Sequence, residues 1–180
     1  MVDEVQVALA EFGPLRSEID RRSKAQSDML NLNITAIGTV GGLFFLSQQV
    51  VDQKVLLVLP VLSTSLGLLW LDHARAIGNL GRYIGEKIRP VVTQGSANSD
   101  LFANEQRDRL VGMPGFFMML TLALPTLILF VAVPVTALAQ VWKPVEAASL
   151  QAVWWAEVVY LAVYIAFWVQ WFRDHASRIG

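Results

Sequence analysis

Three groups of residues in this sequence have types and spacing that chemistry can use. The first surrounds a lone acid, Glu157, which lies inside an apolar run and shares a helical face with Tyr160, Tyr164, Trp168 and Trp171. An acid at membrane depth is a functional candidate by default, and repeated around an oligomer it makes an acidic ring that favours cations. The competing reading is positional: Glu157 sits three residues inside Trp154, about 4.5 Å at helical rise, which is shallow enough to snorkel to the outer headgroups. The second group is basic: Arg21, Arg22, Lys24, Arg75, Arg82, Lys87 and Arg89. Such residues set membrane topology, hold anionic lipid headgroups, or converge on the phosphates of a cytosolic anion. The third is a pair of dipeptides, Asp72-His73 and Asp174-His175. Metal sites converge three or four ligands, and adjacent helical residues diverge, so interfacial hydrogen bonding is the better reading.

Other chemistry has no residues to carry it. The chain has no cysteine, which excludes disulfides, zinc ribbons and thiol nucleophiles. No Ser/His/Asp array, phosphate loop or zincin motif occurs, so no catalytic residue, metal or cofactor is expected and the chain does not read as an enzyme.

The elements that must position these groups are apolar. Of 180 residues 54% are hydrophobic and 16% charged, against roughly 25% charged in an average soluble domain. Four long runs stand out, Leu30–Val50, Val55–Leu71, Met113–Val141 and Leu150–Phe172, where a bilayer-spanning helix needs about 20 residues. The predicted class is therefore all-α: a polytopic membrane protein of four transmembrane helices with cytosolic helical extensions. Its segments are a cytosolic helical stretch at 1–29, a first hairpin at 30–71, a cytosolic extension and linker at 72–112, a second hairpin at 113–172 and a short tail at 173–180. Pro114, Pro125 and Pro134 in the third run are tolerable where neighbouring helices serve the freed carbonyls.

Orientation follows from basic residues. Of the 14 Lys and Arg, all but Lys54 and Lys143 fall before the first run, between the second and third, or after the fourth. That asymmetry puts both termini in the cytoplasm of a multi-pass cell-membrane protein. The opening MVDEVQVALAEF has acids and no early Lys or Arg, so no cleavable leader is expected. Helix is predicted over Leu15–Met29 after a break at Gly13-Pro14, and over Leu71–Arg89, which Pro90 ends; Thr93–Asp100 reads as a linker and Leu101–Leu110 as a short amphipathic helix. Leading into and through the first run, Lys24, Asp28, Asn31, Thr35, Gly38 and Gly42 follow one another at three- or four-residue steps. That face is either a packing seam or, with Asn31, Thr35, Gly38, Gly42 and then Glu157, Tyr160 and Tyr164, a water-lined surface. The sequence Asp72–Gly78 recurs at Asp174–Gly180 with all but two positions matching, at equivalent points of the two hairpins, as a duplication or coincidence would leave it.

The stretch LRSEIDRRSKAQSDMLNLNITAIGTV, followed by GLLWLDHARAIGNLGRYI, resembles a group of small actinobacterial four-helix integral membrane proteins over roughly the N-terminal half. The architecture, short spans under a membrane-proximal helical layer, is similar to the membrane channel effector of bacterial anti-phage systems of the Hailong type. That resemblance implies a homo-oligomeric ion channel in the inner membrane, opened or closed by a nucleotide-type signal, and gives no residue a role. The expectation is thus a cytosolically gated homo-oligomeric channel, a tetramer being favoured, in antiviral defence. Its partners are membrane lipid, further copies of itself and a cytosolic nucleotide or DNA oligomer. The alternative is a non-conducting scaffold that recruits a cytosolic partner protein.

Overall fold

The computed structural model describes residues 4–46, 53–94, 124–141 and 148–176, and every one of them is helical. Helix α1 (Glu4–Leu46) is one continuous piece of 43 residues. A 3₁₀ turn (Gln53–Leu57) opens α2 (Val58–Tyr83), which passes through a π turn (Ile84–Ile88) into α3 (Arg89–Gln94). A second π turn (Ile128–Ala132) leads into α4 (Val133–Val141), and α5 spans Ala148–Ala176. Three helical stretches, Val55–Thr93, Leu124–Val141 and Leu150–Asp174, are long and apolar enough to cross a membrane. The run beginning at Leu30 forms the end of α1 and is not among those three. The predicted linker beyond Gln94, the helix Leu101–Leu110, the start of the third run and residues 47–52 and 142–147 lie outside the described residues.

Two predicted breaks are absent. Gly13-Pro14 lies within α1, where both residues are exposed, so water can serve the carbonyl that Pro14 leaves unbonded. Pro90 does not end its helix either, because the backbone widens before it. Each π turn stands just upstream of a proline at the same offset: Ile84–Ile88 before Pro90, and Ile128–Ala132 before Pro134. A proline ring collides with the carbonyl four residues back, and a wider turn relieves the collision without breaking the helix.

Helix α2 is central and packs on α1, α4 and α5. It runs antiparallel to α1 along nearly its whole length. Asn33 meets Ser63, the Gln26 amide donates to the Trp70 carbonyl at 3.2 Å, and Glu11 accepts from Tyr83 at 3.2 Å. Helix α5 runs parallel to α2, with Tyr160 on Ser65 and Arg75 on the Phe167 carbonyl, while α4 runs antiparallel to both. The main core draws Leu59, Leu66, Trp70 and Leu71 from α2 against Phe130, Leu138, Leu161, Tyr164 and Trp168. A second small cluster joins Ala8 near the start of α1 to Ile88 and Val92. Large apolar side chains also face outward, among them Leu32, Ile34, Val61, Leu69, Ile128, Val159 and Val163. An apolar exterior of this extent suits lipid rather than water.

Candidate functional site

The polar side chains of the apolar helical stretches divide between an interior and an open face. Within the interior, Asn33 of α1 is wholly buried. Its amide donates to the Leu129 carbonyl at 3.1 Å, and its carbonyl oxygen accepts from the Ser63 hydroxyl at 2.7 Å. The backbone explains the first bond. In the second π turn the Val133 N–H reaches back five residues to the Ile128 carbonyl, and the next position, which would serve Leu129 in that register, is Pro134 and has no N–H. Asn33 supplies the missing donor from another helix. The equivalent position in the first π turn, Gly85, is exposed, where water can serve the carbonyl.

A second polar set lies between α2 and α5. Tyr164 is fully buried, its ring edge-on to Phe130 at a centroid distance of 6.2 Å and close against Gly67. A Cβ at Gly67 would stand 2.9 and 3.0 Å from two Tyr164 ring carbons and 3.1 Å from Phe130 Cγ, so only glycine admits both rings. Tyr160 shares a hydrogen bond of 3.1 Å with Ser65. Glu157 is 5% exposed and Thr64 is 1% exposed. Oxygens of Glu157, Thr64 and Tyr164 have no hydrogen-bond partner. The α5 face read as pore-lining therefore turns into the protomer's own core.

The α1 face is different. Lys24, Asp28, Asn31, Thr35 and Gly38 are exposed and Gly42 half-buried. Thr35 bonds back to the Asn31 carbonyl at 2.8 Å, and a Cβ at Gly38 or Gly42 would meet nothing within 4 Å. Among the described residues, no hydrogen bond joins this face to another helix.

The basic residues are dispersed rather than gathered into one pocket. Arg21 and Arg22 both grip Glu18, at 2.8 and 2.6 Å, and their hydrogen bonds, Arg21's first, hold the Glu18 carboxyl down at about 2. The same bond raises Arg21 above its usual range. Arg22 also donates towards His73 Nδ1 at 3.5 Å, which ties one Asp-His pair into the α1–α2 seam. Arg75 turns to α5, donating to the Phe167 carbonyl at 3.1 Å and stacking 5.3 Å from that ring's centroid. Arg82 is exposed and donates to Asn79, Lys87 is exposed and Arg89 half-buried. Glu11 pushes the Tyr83 phenol upward, by its charge and then by the hydrogen bond between them. Among the described residues no three His, Asp or Glu gather as a metal site would need; the side chain of His175 lies outside them.

Sequence reading passed over Asn33, Ser63, Thr64 and Gly67. The available signal was Asn33 itself, an amide isolated among Leu32, Ile34 and Leu30, on the side of the helix away from Asn31. Comparison with protein-family models, curated proteins and solved structures finds no match for this chain.

Proposed function

We propose that this chain is a four-span membrane protein, with both termini in the cytoplasm, that assembles into a homo-oligomeric ion channel gated from the cytosolic side. Three apolar helices plus the end of α1 make the four spans, and the alternating helix directions and one-sided distribution of Lys and Arg support that topology. The observation that carries the channel reading is the contrast between two amides of α1. Asn33 is buried and hydrogen-bonded through both its nitrogen and its oxygen inside the protomer, whereas Asn31, two residues away, is exposed with Thr35 on a face that the other described helices leave open. An uncovered carboxamide is costly in lipid, so that face belongs against another copy or against water. A closed ring of copies provides both, packing at Gly38 and Gly42 and lining a pathway with Asn31 and Thr35. A tetramer is the favoured ring. Glu157, Tyr160 and Tyr164 are left out of this lining because they face inward.

Gating falls to the cytosolic layer, where Arg21, Arg22, Lys24, Arg82, Lys87 and Arg89 offer charge to a nucleotide or DNA oligomer or to lipid headgroups. A channel of this kind depolarises the membrane when opened, as an anti-phage effector would. The experiment is oligomer mass in nanodiscs joined to ion flux into liposomes, with Asn31→Leu alongside wild type. A ring that conducts, and conducts less with Asn31→Leu, supports the reading; a monomer without flux ends it. One observation favours a scaffold instead: Val7 and Leu9 are 45% and 49% exposed at the far cytosolic end of α1, an apolar patch suited to a partner protein. Flux without dependence on Val7 or Leu9 decides against the scaffold.

A further inference from the structure

We propose that the outward groove between α2 and α5 binds a phospholipid whose headgroup carries a primary ammonium beside its phosphate, Arg75 taking the phosphate and Asp72 the ammonium. The proposal rests on the membrane reading above and not on conduction. Two stripes form the groove. On α2, Val61, Ser65, Leu68, Asp72 and Arg75 follow at steps of four and three, which keeps them on one face. On α5, Tyr160, Val163 and Phe167 do the same. Two contacts join the stripes: Tyr160 meets Ser65 at 3.1 Å, and Arg75 donates to the Phe167 carbonyl at 3.1 Å. Leu68 and Val163 lie along the helices between those contacts. Val61, Val163 and Phe167 are 45%, 43% and 40% exposed, so side chains of both stripes face outward. The polar pair midway serves itself, since the Ser65 hydroxyl donates to the Val61 carbonyl at 2.7 Å and accepts from Tyr160. What the groove then presents along its length is apolar, as an acyl chain requires.

The charged end of the groove stands at an aromatic belt. Trp70 and Trp171, edge to face with centroids 6.0 Å apart, lie two residues before Asp72 and four after Phe167, and paired tryptophans of this kind mark headgroup level. Arg75 is fixed there by the Phe167 carbonyl and by that residue's ring, whose centroid is 5.3 Å from the guanidinium carbon. The carbonyl takes one of the five N–H donors of the guanidinium, and the fork that remains matches the oxygens of a phosphate. Asp72 is exposed three residues earlier on the same face, a spacing that puts the two Cβ atoms about 5–6 Å apart. Arg75 nevertheless turns to α5 and not to this carboxylate. Asp174, exposed seven residues beyond Phe167 on the α5 stripe, is a second acid. One base between two acids does not favour a headgroup of net negative charge, whereas a phosphate beside an ammonium meets both signs. A primary ammonium also has N–H groups to give Asp72, and a quaternary one has none.

The test is native mass spectrometry of the full chain in detergent, titrated with phosphatidylethanolamine, phosphatidylglycerol and phosphatidylcholine of matched acyl chains. Wild-type protein, which needs no variant, should retain the ethanolamine lipid several-fold more tightly than the other two. Arg75→Gln should weaken that lipid about tenfold, the loss of a charge-assisted hydrogen bond, while Arg75→Lys keeps most of the binding. Asp72→Asn should abolish the preference for ethanolamine over glycerol without abolishing binding. Glycerophosphoethanolamine, the same headgroup without acyl chains, should fail to displace the lipid, which separates a groove site from a site for free phosphate. Equal retention of the three lipids, or preference for the glycerol lipid, overturns the proposal. So do a preference that survives Asp72→Asn, displacement by the soluble headgroup, and adducts confined to monomers, which would mean that a second copy covers the groove. A chain that stays monodisperse without detergent overturns the membrane reading itself, and that outcome is distinct from a detergent-dependent chain without lipid preference.

Discussion

Replacing Asn33 by leucine while watching what Pro134 does tests the interior most directly. The leucine keeps roughly the volume and removes two hydrogen bonds, 3.1 Å to the Leu129 carbonyl and 2.7 Å from Ser63. Their losses are unequal. Ser63 can turn its hydroxyl to a carbonyl one turn back, as Ser65 does to Val61 at 2.7 Å, so its share is small. Leu129 has no such recourse, because the N–H that its register calls for belongs to a proline. An unserved buried carbonyl costs about 1–3 kcal/mol, although interhelical hydrogen bonds in membranes average about 0.6 and reach about 1.7 kcal/mol. A destabilisation of about 1–2 kcal/mol is expected for Asn33→Leu, read by unfolding in mixed micelles through the fluorescence of Trp70 and its neighbours. Pro134→Ala returns a backbone N–H to position 134. In that background Asn33→Leu should cost less than half as much, a coupling of more than about 0.5–1 kcal/mol against the roughly 0.3–0.5 kcal/mol by which independent sites deviate. Additive costs would refute the account of Asn33 as a substitute for the proline's missing donor.

Four further outcomes are expected. Gly67→Ala should destabilise by about 1–3 kcal/mol in the same unfolding assay, and Tyr164→Leu in that background should recover part of it by removing the ring carbons at 2.9 and 3.0 Å. Gly38→Leu and Gly42→Leu should leave the unfolding of a single protomer nearly unchanged but lower the oligomer mass in nanodiscs; if neither measurement moves, that face looks at lipid. Glu18 has its carboxyl held at about 2 against an ordinary 4.5, so the stability it lends to the Arg21–Arg22 cluster is complete above 4.5 and lost as pH falls through about 2. A carboxyl NMR titration of Glu18 should show that low midpoint in wild type and an ordinary one in the double variant Arg21→Gln, Arg22→Gln. Glu18→Gln should strengthen binding of an anionic oligonucleotide several-fold by releasing both guanidiniums, and that binding should weaken steeply with salt.

Much of the helix content is legible because an apolar run near 20 residues has few alternatives, and the runs at Val55–Leu71 and Leu150–Phe172 lie within helices. What escapes is what depends on neighbours. Pro14 and Pro90 read as breaks, yet a helix survives a proline where its orphaned carbonyl meets water or where a π turn opens room. The grouping of Glu157 with Tyr160 and Tyr164 on one face is plain from helical spacing, but spacing cannot say whether that face meets its own protomer or another copy. Gly67 is the sharpest case. It carries no motif, while Gly38 and Gly42 sit at a recognisable packing interval; yet Gly67 is the position where two aromatic rings close in. The basic set is legible as charge, and not as the separate bonds to Glu18, His73, Asn79 and Phe167 that disperse it.

Helix α1 connects these levels. At 43 residues it is about 64 Å long, twice the thickness of a hydrocarbon core, and it is unbroken. Its N-terminal half is tied to α2 by Glu11 with Tyr83 and by Arg22 with His73, and its C-terminal half by Gln26 and Asn33. Asn31 and Asn33 are two residues apart, about 200° around the helix, so one amide locks α1 to its own bundle while the other looks out of it. In a ring of copies, any turn of α1 that takes Asn31 into or out of a pathway must also pull Asn33 from Leu129 and Ser63. The interior hydrogen bonds therefore resist that rotation, and an anion that competed for Arg21 and Arg22 would act about 17 Å away along the same rod. Gating by rotation would have to overcome the Asn33 bonds in every subunit, whereas gating by tilt of the whole α1–α2 hairpin leaves them intact. The hairpin's continuous antiparallel contacts, from Ala8 at Ile88 to Asn33 at Ser63, favour the tilt.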